Sequence, residues 1–321
     1  METEGDHFEM FSGFDRLGFP ESIKRVTAGS GGEALLIIGS EKTALFDCGM
    51  AYCAEELIKN IKAALGGGNL DYILISHTHY DHVGALPFIR RAWPGAVTFG
   101  AEHARDVFNK GGAVDAINSL GMNANKLFGG SSEFKIIEGG FVIDEIVRDG
   151  DRISLGKEEV VVLETKGHTD CSLTYVLEPD SYMFMSESTG HIDGPDRLHV
   201  TILKSYKDAM ASVEKCRNYG AKHIISAHYG LMPDYYIERY WELFLLTVEE
   251  YKQFLYGLFA QGLSMTEIME KYEDNFWNDS RKKVQPKEAF MLNASNVVKV
   301  FLKEYESEKG VAAQCPLNRE Y

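Results

Sequence analysis

Ser76-His77-Thr78-His79-Tyr80-Asp81-His82 follows directly on Asp71-Tyr72-Ile73-Leu74-Ile75, an apolar run of strand length, and precedes Val83-Gly84-Ala85-Leu86. Three imidazoles and a carboxylate packed beside a core strand are costly to bury without partners. In extended backbone, residues two apart point the same way, so His77 and His79 face one ion. A turn after His79 then aims Asp81 and His82 at a second ion nearby. The competing reading is a solvated surface cluster, and the apolar flanks argue against it.

Further donors stand where later strands end. His168 follows the apolar run at 160–164, Glu187 follows Met183-Phe184-Met185-Ser186, and His228 follows Ile224-Ile225-Ser226-Ala227. Residues that leave a sheet at the ends of its strands converge on one rim. Asp193 is a backup carboxylate, and His191 an outer ligand or substrate contact. Tyr80 and Tyr229 either pack around the ligands or donate to an oxyanion or leaving group. His7, His103, His199 and His223 read as surface or structural histidines. Nitrogen and oxygen donors admit Zn, Fe or Mn. Cys171 lies three residues past His168, but neither donor set needs a thiolate.

Outward from this cluster, the pattern predicts a hairpin over 33–38 and 43–46 and a helix over 52–65 that stops at Gly66-Gly67-Gly68. A short helix ends at Trp93, and 101–130 reads as helix interrupted at Gly111-Gly112 and Gly121. Strands are expected over 141–147, 152–155, 159–164, 173–177 and 182–185. A helix over 204–218 and a last strand over 223–226 complete the scaffold. Two strand blocks, each followed by helix, predict an α/β architecture of two packed sheets with helices outside. Beyond Pro233, apolar residues from Trp241 to Phe259 recur at helical spacing. Ser264 and Glu267 mark a capping box over 264–275, and a third helix is expected over 286–305. The expected division is 1–235, carrying the cluster, and a helical extension over 236–321 that covers its mouth. The aromatic stripe of the long helix reads as core.

The 321 residues carry 33 Lys plus Arg against 48 Asp plus Glu, a formal charge of −15. Such an acidic surface disfavours nucleic acid and anionic membranes as partners. Arg281-Lys282-Lys283 is the one short basic run and reads as a solvated loop between helices. No apolar run reaches the ~18 residues of a membrane span, so no membrane partner is expected. The acidic start Met1-Glu2-Thr3-Glu4-Gly5-Asp6 lacks the order of a secretory signal. Five cysteines without a CxxC pair fit reduced thiols in a cytoplasmic protein, and Cys48 reads as a small buried residue.

From about residue 23 to 232 the chain resembles the metallo-β-lactamase-fold hydrolase superfamily. His77-x-His79-x-Asp81-His82 is similar to that family's HxHxDH motif, Gly167-His168-Thr169 to its third histidine element, and Ala227-His228-Tyr229-Gly230 to its last. The resemblance implies a four-layer αββα fold with a C-terminal helical extension. It also implies two divalent metal ions, zinc first, with iron or manganese allowed. His77, His79 and His168 would hold one ion, and Asp81, His82 and His228 the other. Glu187 would bridge both, where the family carries an aspartate. That longer carboxylate leaves three outcomes open: bridging, binding one ion, or a mononuclear site.

A bridged pair about 3.5–4 Å apart lowers the pKa of a shared water to give hydroxide at neutral pH. The ions then stabilise the oxyanion, while Asp81 orients the hydroxide or passes a proton to the leaving group. The helical extension looks like those of glyoxalase-II-type and quinolone-signal-type thioesterases. The expected substrate is therefore a small acyl thioester or lactone, handled in the cytoplasm by a chain free to form a homodimer. Its rivals are a mononuclear-iron sulfur dioxygenase, a phosphodiesterase and a low-turnover regulator of the same fold. Flavodiiron proteins fit less well, having Glu where this chain has His79.

Overall fold

Val160 and Val162 face one buried layer and Val161 and Leu163 another, so their strand is covered on both sides. In the computed structural model, which describes residues 18–193, 197–228 and 230–310, that strand lies inside one of two packed sheets.

The first sheet is built from β1 (Ile23–Arg25), β2 (Leu35–Ile38) and β3 (Thr43–Phe46), which pair antiparallel. Helix α1 (Ala54–Leu65) then crosses to β4 (Tyr72–Leu74), and α2 (Tyr80–Val83) and α3 (Leu86–Ala92) cross to β5 (Val97–Gly100). Helices α4 (Glu102–Phe108) and α5 (Gly111–Leu127) lead to β6 (Glu145–Ile146). From β3 onward the pairing is parallel, which is why each connection carries helix.

The second sheet takes β7 (Arg152–Ser154), β8 (Glu159–Glu164), β9 (Leu173–Glu178) and β10 (Tyr182–Phe184) as an antiparallel meander. A separate two-stranded ribbon follows, β11 (His191–Ile192) with β12 (Leu198–His199). Helix α6 (Tyr206–Tyr219) returns the chain to β13 (His223–Ser226), which pairs parallel with β10, and β14 (Gly230–Leu231) forms the edge. The order is β14-β13-β10-β9-β8-β7.

The sheets meet through Phe46, whose ring lies 6.0 Å from that of Tyr175 and 5.1 Å from that of Phe184. Leu57 and Ile61 of α1 and Leu86 and Ile89 of α3 close the first sheet, and Ala209, Val213 and Cys216 of α6 pack on the second. The result is the four-layer αββα arrangement.

From 237 to 308 the described residues form four helices joined by short turns: α7 (Ile237–Ala260), α8 (Met265–Phe276), α9 (Asp279–Val284) and α10 (Lys287–Glu308). Ser264 and Glu267 form the expected capping box. Trp241, Phe244, Val248, Leu255 and Leu258 are buried against the outer face of the second sheet and α10, as a core stripe should be. No helix among the described residues is long and apolar enough to cross a membrane.

Three expectations need correction. The strand expected over 141–147 shrinks to Glu145–Ile146, because the Asp144 carboxylate takes the amide of Thr98 (2.8 Å) and the Arg90 guanidinium. Gly121 does not interrupt α5; the break falls at Asn109 and Lys110 instead. The basic triplet is not a solvated loop. The Asn278 side chain caps α9 by accepting from the Arg281 amide, and the Arg281 side chain is buried against Asp193. The acidic start of the chain and Cys315 lie outside the described residues.

Gly167 shows how closely α6 is pressed to the rim. Its φ is +132°, and an added Cβ would come 2.5 Å from Ala209 Cα. Gly167→Ala therefore combines overpacking with backbone strain and should cost about 2–5 kcal/mol in urea unfolding.

Candidate metal centre

The donors gather where strands of both sheets end. His77 lies three residues past β4, and His79 caps α2, which carries Asp81 and His82. His168 follows β8, Glu187 opens a short 3-10 turn after β10, and His228 follows β13. The structure brings together all seven.

Hydrogen bonds on the outer side of each ring decide what faces inward. Ser76 Oγ donates to Asp47 Oδ2 at 2.7 Å and accepts from His77 Nδ1 at 3.0 Å, which fixes the His77 proton on Nδ1. His168 Nδ1 lies 2.7 Å from the Thr201 carbonyl, an acceptor only, so this nitrogen also carries the proton. Both Nε2 atoms are then bare in neutral rings, and both point at His79 Nδ1, from 3.1 and 2.9 Å. A single ring nitrogen can donate to one of them at most. At least one lone pair is left without a donor, an arrangement that a cation satisfies and this hydrogen-bond network does not.

The second group differs, because its rings face carboxylates. His82 donates from Nδ1 to Asp47 Oδ2 at 2.8 Å and turns Nε2 toward Glu187 Oε1 at 2.9 Å. His228 Nε2 lies 3.1 Å from the same oxygen, and Asp81 Oδ2 lies 3.6 Å from His228 Nε2 and 3.8 Å from His82 Nε2. Glu187 also reaches the first group, with Oε1 3.6 Å from His77 Nε2 and Oε2 3.6 Å from His168 Nε2. His77, His79, His168 and Glu187 thus form one donor set, and Asp81, His82, Glu187 and His228 another, each with its ligand atoms within 4.8 Å of one another. Glu187 belongs to both.

The two sets differ in charge. Burial, then the neighbouring histidines, hold His77 well below its ordinary value, and burial with His168 lowers His79 to about 3. His82 and His228 move up: burial opposes this, but Asp81 and Asp47 outweigh it at His82, and Glu187 at His228. Burial raises Asp81, whereas Glu187 is pulled well below the carboxylate range against its own burial by His168 and His228. Burial thus disfavours charge on His77 and His79, whereas carboxylates favour it on His82 and His228. Backbone strain collects here too. Asp47 and His228 have φ of +54° and +61°, left-handed values that non-glycine residues adopt at a cost of about 1–3 kcal/mol each.

Other expected residues stand around the centre. The His191 ring packs 5.1 Å from that of His228 and 5.1 Å from that of His199, and its Nδ1 is buried without a partner among the described residues. His199 is therefore a buried neighbour of the centre. Asp193 is not a backup carboxylate: Arg281 holds it at 3.0 Å, and neither donor set includes it. Tyr80 is buried in the apolar core of the first sheet. The Cys171 thiol contacts Thr78 and Thr169 and is pushed up by burial, outside both donor sets. His223 pairs with Asp234 at 2.7 Å, and His103 is half-buried 3.9 Å from Asp170. His7 and Tyr229 lie outside the described residues. The sequence reading missed Asp47, Ser76, Thr201 and Arg281; only Asp47, an acid at the end of an apolar run, carried a visible signal.

Residues 29–228 match the family described as Metallo-beta-lactamase superfamily. The chain is 28% identical over 151 residues to a probable metallo-hydrolase of Burkholderia pseudomallei, covering 43% of this chain and 45% of that one. It is 30% identical over 135 residues to a hydroxyacylglutathione hydrolase of Buchnera aphidicola, covering 42% and 39%. The chain thus spans less than half the length of these curated relatives. A metallo-beta-lactamase family protein from Thermus thermophilus shares the fold at a TM-score of 0.62 and 18% identity, over 91% of this chain and 95% of that one.

Asp47→Asn keeps the shape but removes the acceptor that orients His82 and Ser76. Zinc affinity in a chelator competition should fall by about 10–100-fold with the far-UV spectrum unchanged. In the metal-free protein, His79 is protonated more readily unfolded than folded, since its folded value near 3 lies below the ordinary 6.5. Its contribution to stability is complete above pH 6.5 and is lost as pH falls toward 3. Urea unfolding at pH 6.5 and 5 in excess chelator should show a shallower acid loss for His79→Gln than for the wild type.

Proposed function

Because the chain belongs to the metallo-β-lactamase superfamily, we propose that it is a metal-dependent hydrolase that holds two divalent cations and cleaves a small acyl thioester or lactone. The observation that carries this is Glu187, whose carboxylate is shared by both donor sets. One set has three ring nitrogens and the other adds the Asp81 carboxylate, a composition suited to zinc, with iron or manganese as alternatives. When bound, the ions supply Lewis acidity and an activated water.

The protein's own groups do the rest. Ser76, held by Asp47, and the Thr201 carbonyl keep the lone pairs of His77 and His168 aimed inward. Asp81, raised by burial and close to His228, can take a proton and return it to a leaving group. Tyr80 is held as a neutral phenol by burial in the core.

The thioester reading draws on the hydroxyacylglutathione hydrolase relative, whose named substrate is an acyl group on glutathione. The segment from 236 onward is read as an extension that walls the mouth of the centre. This is supported by the Tyr240 hydroxyl, which donates at 2.7 Å to the carbonyl of Gly190, three residues past Glu187. The net charge of −15 favours a small-molecule substrate over nucleic acid. Buried unpaired Cys48, Cys53, Cys171 and Cys216 accord with a reducing, cytoplasmic setting.

The test is metal analysis of tag-free protein, with acyl-glutathione, acyl-CoA, lactone and phosphodiester substrates assayed in parallel. Two equivalents of metal and thioester or lactone hydrolysis, abolished in His79→Ala, are expected. Oxygen uptake with a persulfide at one equivalent of iron would replace the reading with a dioxygenase, and bound metal without turnover would replace it with a regulator.

A further inference from the structure

The ribbon β11–β12 has two residues in each strand, too little pairing to hold itself in place. Yet both of its ends run into the metal centre. On one side, Gly190 closes the 3-10 turn that starts at Glu187, its amide donating to the Glu187 carbonyl at 2.9 Å. On the other side, Thr201 supplies the carbonyl that fixes His168 and a hydroxyl 3.5 Å from Glu187 Oε2. The ribbon's own His191 lies against His228. Wherever the ribbon sits, Glu187 and the His168 ring must follow.

The ribbon is held chiefly from outside the sandwich. The Tyr240 hydroxyl of α7 donates to the Gly190 carbonyl at 2.7 Å, where the backbone has a φ of +74°. Helix α7 also packs on β12. At the tip, the Asp193 amide donates to the Arg197 carbonyl at 3.0 Å, and Arg281 Nη2 of α9 grips Asp193 Oδ2 at 3.0 Å. The side chains of this ion pair are only 7% and 15% exposed. From the sandwich itself, the Ser226 hydroxyl accepts a 3.4 Å bond from the Ile192 amide.

A nearly buried ion pair gives little net stability compared with apolar residues of the same size, so its benefit lies in fixing one geometry. Arginine suits that task, because its planar fork holds a carboxylate at a set angle. We propose that Arg281 is a positioning residue: through Asp193 it locks the 191–199 ribbon, and through the ribbon it sets Glu187 and His168 for metal binding. The C-terminal helices thereby tune the affinity of a centre to which they contribute no donor among the described residues. This rests on the metal-binding reading of the centre.

The experiment uses the full chain with Arg281→Met, Asp193→Leu and both together. Each single change leaves one buried charge unpaired and should lower the melting temperature; the double variant removes both charges and should recover it. Two further readouts separate positioning from stapling: deuterium uptake over 187–201 in metal-free protein, and zinc affinity by chelator competition. The double variant should exchange faster over 187–201 and bind zinc about tenfold or more weakly, the size of effect expected when a ligand loses its support. A folded double variant with wild-type zinc affinity would overturn the proposal. Should the double variant not fold, Arg281→Lys, which keeps the charge but loses the fork, must show the same affinity loss in a folded protein or the proposal fails. Wild-type protein that binds no zinc, iron or manganese would instead remove the metal reading, and the coupling with it.

Discussion

The Asp47 carboxylate accepts from the Ser76 amide, the Ser76 hydroxyl and His82 Nδ1 at 2.8, 2.7 and 2.8 Å, and the rest of the centre depends on those bonds. A neutral imidazole has one N–H and one lone pair, on opposite sides of the ring. Once the N–H is tied outward, the lone pair must face inward. Ser76, itself held by Asp47, does this for His77, and the Thr201 carbonyl does it for His168, while His82, also tied to Asp47, turns its Nε2 to Glu187. Rings left free to turn would satisfy one another with hydrogen bonds instead. The left-handed backbone of Asp47 is the local cost of pointing one side chain at two neighbours.

The site was legible to the extent that its chemistry is written in contiguous residues. His77, His79, Asp81 and His82 lie within one strand end and one turn, where a period of two and a reversal suffice to place them. His168, Glu187 and His228 could be found because each follows an apolar run. Thr201 left no trace, because it acts through its backbone carbonyl, and any residue has one. Arg281 looked like a solvated cation because neighbouring lysines surround it in sequence; its burial is set by α9 meeting the ribbon, a contact between segments far apart in the chain. The same limit applies to Asp193, a free carboxylate in sequence and an occupied one in the fold.

The layered fold was legible where an unbroken apolar run marked a strand buried on both faces, as at 160–163. It failed over 141–147, where an aspartate side chain replaced strand hydrogen bonds, and at Gly121, where helix propensity over the rest of α5 outweighed one glycine. Glu187 shows how a change of one methylene can be absorbed. The chain leaves β10 and enters a 3-10 turn before the carboxylate is presented, and its two oxygens still reach both groups of histidines.

Parallel pairing of β10 with β13 puts the end that leads to Glu187 beside the end that leads to His228, and α6 must be completed between them. During synthesis, the cluster at 77–82 therefore leaves the ribosome well before the residue that closes the second donor set. A nascent chain carries exposed histidines able to take up a metal in the wrong company, and the correct coordination exists only after the last strand has docked. The two donor sets are thus complete only at the end of folding, and a cation held by both would be a record that the sandwich closed.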